Sequence, residues 1–203
     1  MMGLEPTALG TTNRCSNQLS YIHHNQKFDI IYYTIKKKFF ENMGKNLKIL
    51  TIKKPEELKT LREKSKKVSK KKIKSEKFQK FLDELIETAR NHQLPEGWTT
   101  AGLAAIQVGK PLKVFIILET ETREYKTFIN PEIEYIGSEK EKDIEGCLSL
   151  PDDQSEVSRH RKIEVKYTNR QGEKKKEKYE GFDARIIQHE YDHLEGKLFV
   201  DKA

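Results

Sequence analysis

Five residues near the end of the chain, His189–Glu190–Tyr191–Asp192–His193, restrict its folding more than any other stretch. An H-E-x-x-H pattern is useful only on a helix, where one turn separates the two histidines and both imidazoles leave the same face, able to share one metal ion. Glu190 then sits about 100° round the helix from His189, near enough to handle a proton on water activated at the metal. The flanking Ile186, Ile187 and Leu194 give this helix an apolar side, so it must be partly buried. Asp183 is a plausible N-cap for it, and Gly196 a stop. A further ligand is needed. Only ten residues follow His193, without another histidine; Glu195 points elsewhere and Asp201 sits in the tail. Upstream, Cys147 lies in Glu145–Gly146–Cys147–Leu148–Ser149–Leu150–Pro151, where Gly146 and Pro151 suggest a shaped loop. A lone cysteine is more often a small buried hydrophobe, so Cys147 is a candidate rather than an assignment.

The rest of the chain must supply a scaffold for that helix. Leu47, Ile49 and Thr51 alternate with polar residues and predict a short strand. Phe78, Phe81, Leu82, Leu85, Ile86 and Ala89 recur at three- and four-residue steps, predicting an amphipathic helix stopped by Pro95 and Gly97. Leu112–Glu119 reads as a buried strand and Lys126–Asn130 as another. Ile163, Val165 and Tyr167 alternate, Asn169–Gly172 supplies a turn, and Glu173–Tyr179 returns as a polar edge strand. Strands in the middle and helices near each end predict an α+β domain with mixed, largely antiparallel sheets around the H-E-x-x-H helix.

Residues 1–42 differ from this text. They show no sustained period, and the stretch LGTTNRCSNQLSYIH resembles the translated 3′ end of a tRNA gene. We read 1–42 as a disordered extension or a mis-assigned start, with Met43 opening a catalytic domain over 43–203. The rival reading is a transit peptide, against which only Arg14 and Lys27 are basic before residue 36. Charge is equally local. Lys and Arg total 39 against 32 acids, a net +7, but residues 53–77 carry twelve basic residues and four glutamates, so the remainder sums to −1. The longest apolar runs fall far below the roughly 18 residues of a spanning helix, so no membrane helix is expected. Two cysteines make no disulfide framework, which suits a reducing compartment.

A third segment, Gly102–Leu103–Ala104–Ala105–Ile106–Gln107–Val108–Gly109, would alone be read as a tightly packed turn or a helix start. Together, however, GLAAIQVG, EGCLSLP and QHEYDHLEGKLF, in that order, resemble the three signature motifs of the peptide deformylases. The resemblance covers roughly Leu47 to Asp201. It implies a metallohydrolase that removes the N-formyl group from the terminal methionine of new polypeptides and releases formate. It further implies Cys147, His189 and His193 as metal ligands, Glu190 as acid–base, and the Gln107 amide with the Leu148 N–H as oxyanion donors. Gly102, Leu103, Ile144 and Ile186 are candidates for substrate binding. Fe²⁺ is the metal the resemblance favours, with Zn²⁺, Ni²⁺ or Co²⁺ as substitutes the same donors accept. Glu145 and Arg159 resemble a family acid–base pair near the cleft, or are two solvated charges.

The sequence departs from the family in three places. Thr100 occupies the position of the first motif's usual opening glycine, the 91–99 connection with Trp98 is long, and Ala89 stands where a methionine is common. These bear on the substrate groove, not the metal chemistry. Two other classes remain open at this level: an H-E-x-x-H peptidase with another ligand in place of Cys147, and a non-enzymatic protein whose 53–77 segment is a nucleic-acid-binding arm. For a deformylase, the basic segment suggests ribosome contact and a cytoplasmic location.

Overall fold

Val114–Phe115–Ile116–Ile117–Leu118 presents no polar face, so it must be covered on both sides. In the computed structural model, which describes residues 46–92 and 100–203, this run is strand β2 (Val114–Leu118), and its first four residues are fully buried. Val114 and Ile116 join a core with Phe78, Leu82, Leu85 and Ala89 of helix α3 (Glu76–Asn91). Phe115 and Ile117, facing the other way, join a second core with Ala184, Ile187 and Leu194 of helix α4 (Gly181–Leu194). One strand therefore anchors two helix-packed layers, as side-chain alternation requires.

β2 is the second strand of a five-stranded sheet. With β1 (Gly102–Ala104), β3 (Tyr125–Tyr135), β6 (Lys162–Thr168) and β7 (Lys174–Glu180), the order is β1-β2-β3-β6-β7. Among the described residues every strand pair is antiparallel, and parallel pairing is confined to the single bridge Lys66–Leu112. The α+β expectation stands, with sheets more uniformly antiparallel than expected. β3 runs past Asn130 because a register shift between Ile129 and Glu132 absorbs the irregularity. Asn130 takes positive φ there, and its amide holds Val68 by both N–H and C=O at 2.8 Å. Pro131 is tolerated at this bulge, where a ladder donor is dispensable. The edge position of β7 was correctly expected.

Four expectations need correction. Leu47–Thr51 is not a strand; it is extended but joins no sheet, and its amides bond individually to other elements. The α4 N-cap is Glu180, where the backbone is still extended (φ −136°, ψ 156°); Asp183 lies in the first turn and its carboxylate accepts from Thr120 Oγ1 in the β2–β3 turn at 2.5 Å. The shaped loop around Cys147 is the tip of a separate hairpin, β4 (Lys140–Cys147) with β5 (Leu150–His160). The basic segment 53–77, expected as a solvated lysine-rich loop and helix start or as a binding arm, holds helix α1 (Pro55–Leu61) and a one-turn helix α2 (Lys70–Ile73), with Leu61, Val68 and Ile73 buried. The expectations for residues 1–42 and for the connection containing Trp98 lie outside the described residues.

After α4 the chain turns at Gly196, φ +70°, and passes hard against Arg62 at the end of α1. A Cβ at 196 would lie 2.3 Å from the Arg62 carbonyl oxygen. Bonds from Ser65 N–H to the Leu194 carbonyl and from the Arg62 guanidinium to Asp201 secure the same crossing. We expect Gly196→Ala to cost about 1–2 kcal/mol from the left-handed backbone alone. Displacing Arg62 adds to this, so thermal denaturation should show a midpoint at least about 4 °C lower.

Candidate active site

Hairpin β4–β5 and helix α4 meet so that Cys147, the last residue of β4, faces both histidines of α4. Cys147 Sγ lies 3.3 Å from His193 Nε2, and one donor atom from each of Cys147, His189 and His193 falls within 4.8 Å of the others. The imidazole rings are nearly perpendicular, at 77°. His189 engages Glu145 Oε2 through Nδ1 at 3.0 Å, which fixes the ring and leaves Nε2 for the centre. Burial opposes a thiolate at Cys147, yet the two imidazoles pull its pKa well below the ordinary thiol value. Burial likewise opposes charge on His189, and hydrogen bonding to Cys147 and Glu145 raises it to about 10. Sulfur and nitrogen donors thus already attract positive charge, and a divalent cation can replace the protons. The set fits a catalytic metal, since three protein ligands leave a position open.

Glu145 organises what stands behind the ligands. It is 6% exposed and accepts two bonds from Arg159, at 2.9 and 2.8 Å, and one from Arg185 at 2.7 Å, besides its bond to His189. Its carboxyl is held well below the usual range: burial would raise it, but Arg159 and His189 outweigh burial. Arg159 also reaches Asp192, which in turn accepts from Lys202. Glu145 and Arg159 are therefore a buried pair within a larger network, not solvated charges.

Glu190 faces the opposite problem. Oε2 is buried without a hydrogen-bond partner in the protein, and burial pushes the carboxyl up to about 7 against the pull of His189 and His193. Such a group takes and returns protons near neutrality. Room for it comes from Gly102: a Cβ there would lie 2.5 Å from Glu190 Oε1 and 2.9 Å from its Cγ. Gln107 follows β1 on a short 3-10 turn, Ala105–Val108. Its Oε1 accepts the Ala104 N–H at 2.8 Å, so Nε2 must point inward, 3.3 Å from Ser149 Oγ and 3.5 Å from Cys147 Sγ. Leu148 and Ser149 form the two-residue turn between β4 and β5.

Cys147, His189, His193, Glu190, Gln107, Leu148 and Gly102 are thus gathered into one region. Of the side-chain pocket candidates, Ile186 is nearly buried on α4, and Ile144 is 67% exposed on β4. Leu103 is not brought to the site: it is fully buried with Ile116 in the α3-side core, where alternation along β1 sends it. Sequence reasoning missed Ser149, Arg185 and Asp192. Arg185, His189 and Asp192 stand at i, i+4 and i+7 on one helix, a signal that could have found two of them. The other ligands considered are engaged elsewhere, Glu195 with Lys113 and Asp201 with Arg62.

Two imidazoles and a thiolate backed by buried carboxylate and guanidinium, with an unpaired carboxylate alongside, define a metallohydrolase-type centre. Residues 46–203 match the family described as polypeptide deformylase. The chain belongs to that family. A peptide deformylase from Pseudothermotoga lettingae is 46% identical over 100 residues, 49% of this chain and 57% of the relative, so the match spans less than two thirds of that protein. The crystal structure of peptide deformylase from Thermotoga maritima is similar with a TM-score of 0.67 and 36% identity, covering 78% of this chain and 97% of that one. A class I type b peptide deformylase from Acinetobacter baumannii, crystallised with Met-Ala-Ser bound, is similar with a TM-score of 0.68 and 31% identity, covering 79% and 100%.

The Glu145 network predicts its own test. Glu145→Ala leaves the His189 ring unheld, so affinity for a divalent metal should fall roughly 10–100-fold by competition with a chelator. It also strands two buried guanidiniums, so this variant should be less stable as well, by about 3–5 kcal/mol in denaturant melts.

Proposed function

We propose that this protein removes the formyl group from the N-terminal methionine of newly made polypeptides, yielding formate and a free amino terminus. The observation that carries the reading is the convergence of the Cys147–His189–His193 donor set, the protonatable Glu190 and the inward amide of Gln107 in one region. The Met-Ala-Ser bound to the Acinetobacter relative has the form of a product of this reaction.

Cys147, His189 and His193 would hold a divalent metal, with Fe²⁺ the proposed native ion, which when bound would supply Lewis-acid polarisation and acidify water. Zn²⁺, Ni²⁺ or Co²⁺ suit the same donors. Glu190 takes a proton from the water that attacks the formyl carbon. As the C–N bond breaks it delivers that proton to the departing amine nitrogen, and its pKa near 7 suits both directions. Gln107 Nε2 and the Leu148 N–H donate to the oxyanion that develops, and the Ala104 N–H on Gln107 Oε1 stops the amide from flipping. Ile144 and Ile186 are the pocket residues we propose for the methionine side chain.

The basic segment supports a second partner. Lys53, Lys54, Arg62, Lys64 and Lys67 each pair with an acid: Asp152, Glu57, Asp201, Glu195 and Glu132. Among the described residues, Lys59, Lys66, Lys70, Lys71, Lys72, Lys74 and Lys77 have no such pairing, and five of these seven lie on and around α2. This cluster is the surface we propose for the ribosome's anionic exterior. No helix among the described residues is long and apolar enough to cross a membrane, and we propose a cytoplasmic location.

Protein purified anaerobically with iron should release formate from a formyl-Met peptide; full metal occupancy without formate would sink the assignment. Gln107→Ala should retain metal yet lose roughly 10²–10³ in turnover. Replacing Lys70, Lys71 and Lys72 by glutamine should weaken salt-sensitive co-sedimentation with ribosomes, and unchanged sedimentation would reject this surface.

A further inference from the structure

The oxyanion donors Gln107 and Leu148 come from loops far apart in sequence, and one short segment ties the backs of both. Residues 50–52 run between them and enter a turn at Ile52. The Leu50 N–H donates to the Gln107 carbonyl at 2.7 Å, and the Ile52 N–H donates to the Ser149 carbonyl at 3.0 Å. The intervening Thr51 N–H bonds to neither loop. It is captured by Glu57 Oε2 at 2.8 Å. Glu57 lies on α1, only 6% exposed, and its other oxygen takes Lys48 Nζ with Lys54 at 3.7 Å. Gln107 belongs to the last turn of its 3-10 helix, whose terminal carbonyls need partners outside it, so the Leu50 bond fills a place otherwise left open. Leu47, Ile49 and Ile52 pack into the cores beside these loops, which keeps the segment from sliding.

We infer that Glu57 is a positioning residue for the reaction: by fixing Thr51 it sets the register of the 50–52 strap, and the strap sets the separation of the Gln107 and Leu148 donors. It touches neither metal ligands nor substrate. This rests on the oxyanion roles proposed above for those two residues. A shift on the order of 1 Å in such donors is enough to lower turnover about a hundredfold while leaving binding of the substrate's remote parts intact.

The test compares Glu57→Ala, Glu57→Gln, Gln107→Ala and the Glu57→Ala/Gln107→Ala double variant in the metal-loaded enzyme, with kcat, KM, metal content and amide hydrogen exchange. Glu57→Ala should lower kcat at least about tenfold with KM and metal content unchanged. Glu57→Gln, which keeps an oxygen for the Thr51 N–H, should restore most of it. Because Glu57 acts through the two donors, the double variant should lose less than the product of the two single losses, the remainder being the effect on the Leu148 donor. Exchange at the Leu50 and Ile52 amides should quicken in Glu57→Ala while strand β6 stays protected. Multiplying losses in the double variant, a glutamine variant as slow as the alanine, or unchanged exchange at Leu50 and Ile52 would each overturn the inference. Should Gln107→Ala keep full turnover while exchange at Leu50 and Ile52 still rises, the strap stands and the Gln107 assignment falls.

Discussion

Glu145 remains ionised in the interior because it accepts from two guanidiniums and an imidazole at once, and the rest of the site is built outward from that arrangement. A carboxylate buried alone would take up a proton; flanked by Arg159 and Arg185 it cannot afford to. Its negative charge fixes which His189 nitrogen is free, and so where the donor set converges. Arg159 passes the constraint to Asp192 on α4, and Arg185 passes it to the Val157 and Glu141 carbonyls of the hairpin. Hairpin and helix are thereby locked by charge where they share little apolar surface.

Two buried carboxylates, Glu145 on β4 and Glu190 on α4, do opposite chemistry. Glu145 and Glu190 both lie in the interior and both lie close to His189. One is flooded with donors and stays charged; the other has an oxygen with no partner and sits at the edge of protonation. Environment, not residue type, separates a structural anion from a proton carrier.

Much of this was legible in the sequence, for physical reasons that differ by element. The β2 run is apolar because both its faces are covered, and α3 shows a stripe because only one of its sides is, whereas α4 is covered almost all round and fills its other sides with paired polar residues. The H-E-x-x-H spacing fixes geometry within one turn. Hairpin β4–β5 left no such mark: most of its residues are exposed, so neither strand alternates cleanly. Leu47–Thr51 alternates as a strand does, yet its partners are single groups on other elements rather than a neighbouring strand. Glu145 and Arg159 read equally as solvated charges because Asp192 and Arg185, which complete their network, are remote in sequence. Leu103 sits in a recognisable motif, but its direction is set by pairing with Ile116, which local text does not reveal.

Gly102 shows where natural variation meets a different kind of limit. A side chain at that position would contest the space of Glu190 rather than that of the hydrophobic core. A chain carrying one could assemble its sheet, pass cellular quality control and accumulate as folded but idle protein. A side chain at 102 therefore bears on turnover first, whereas a change at Leu103 or Ala104 bears on folding first.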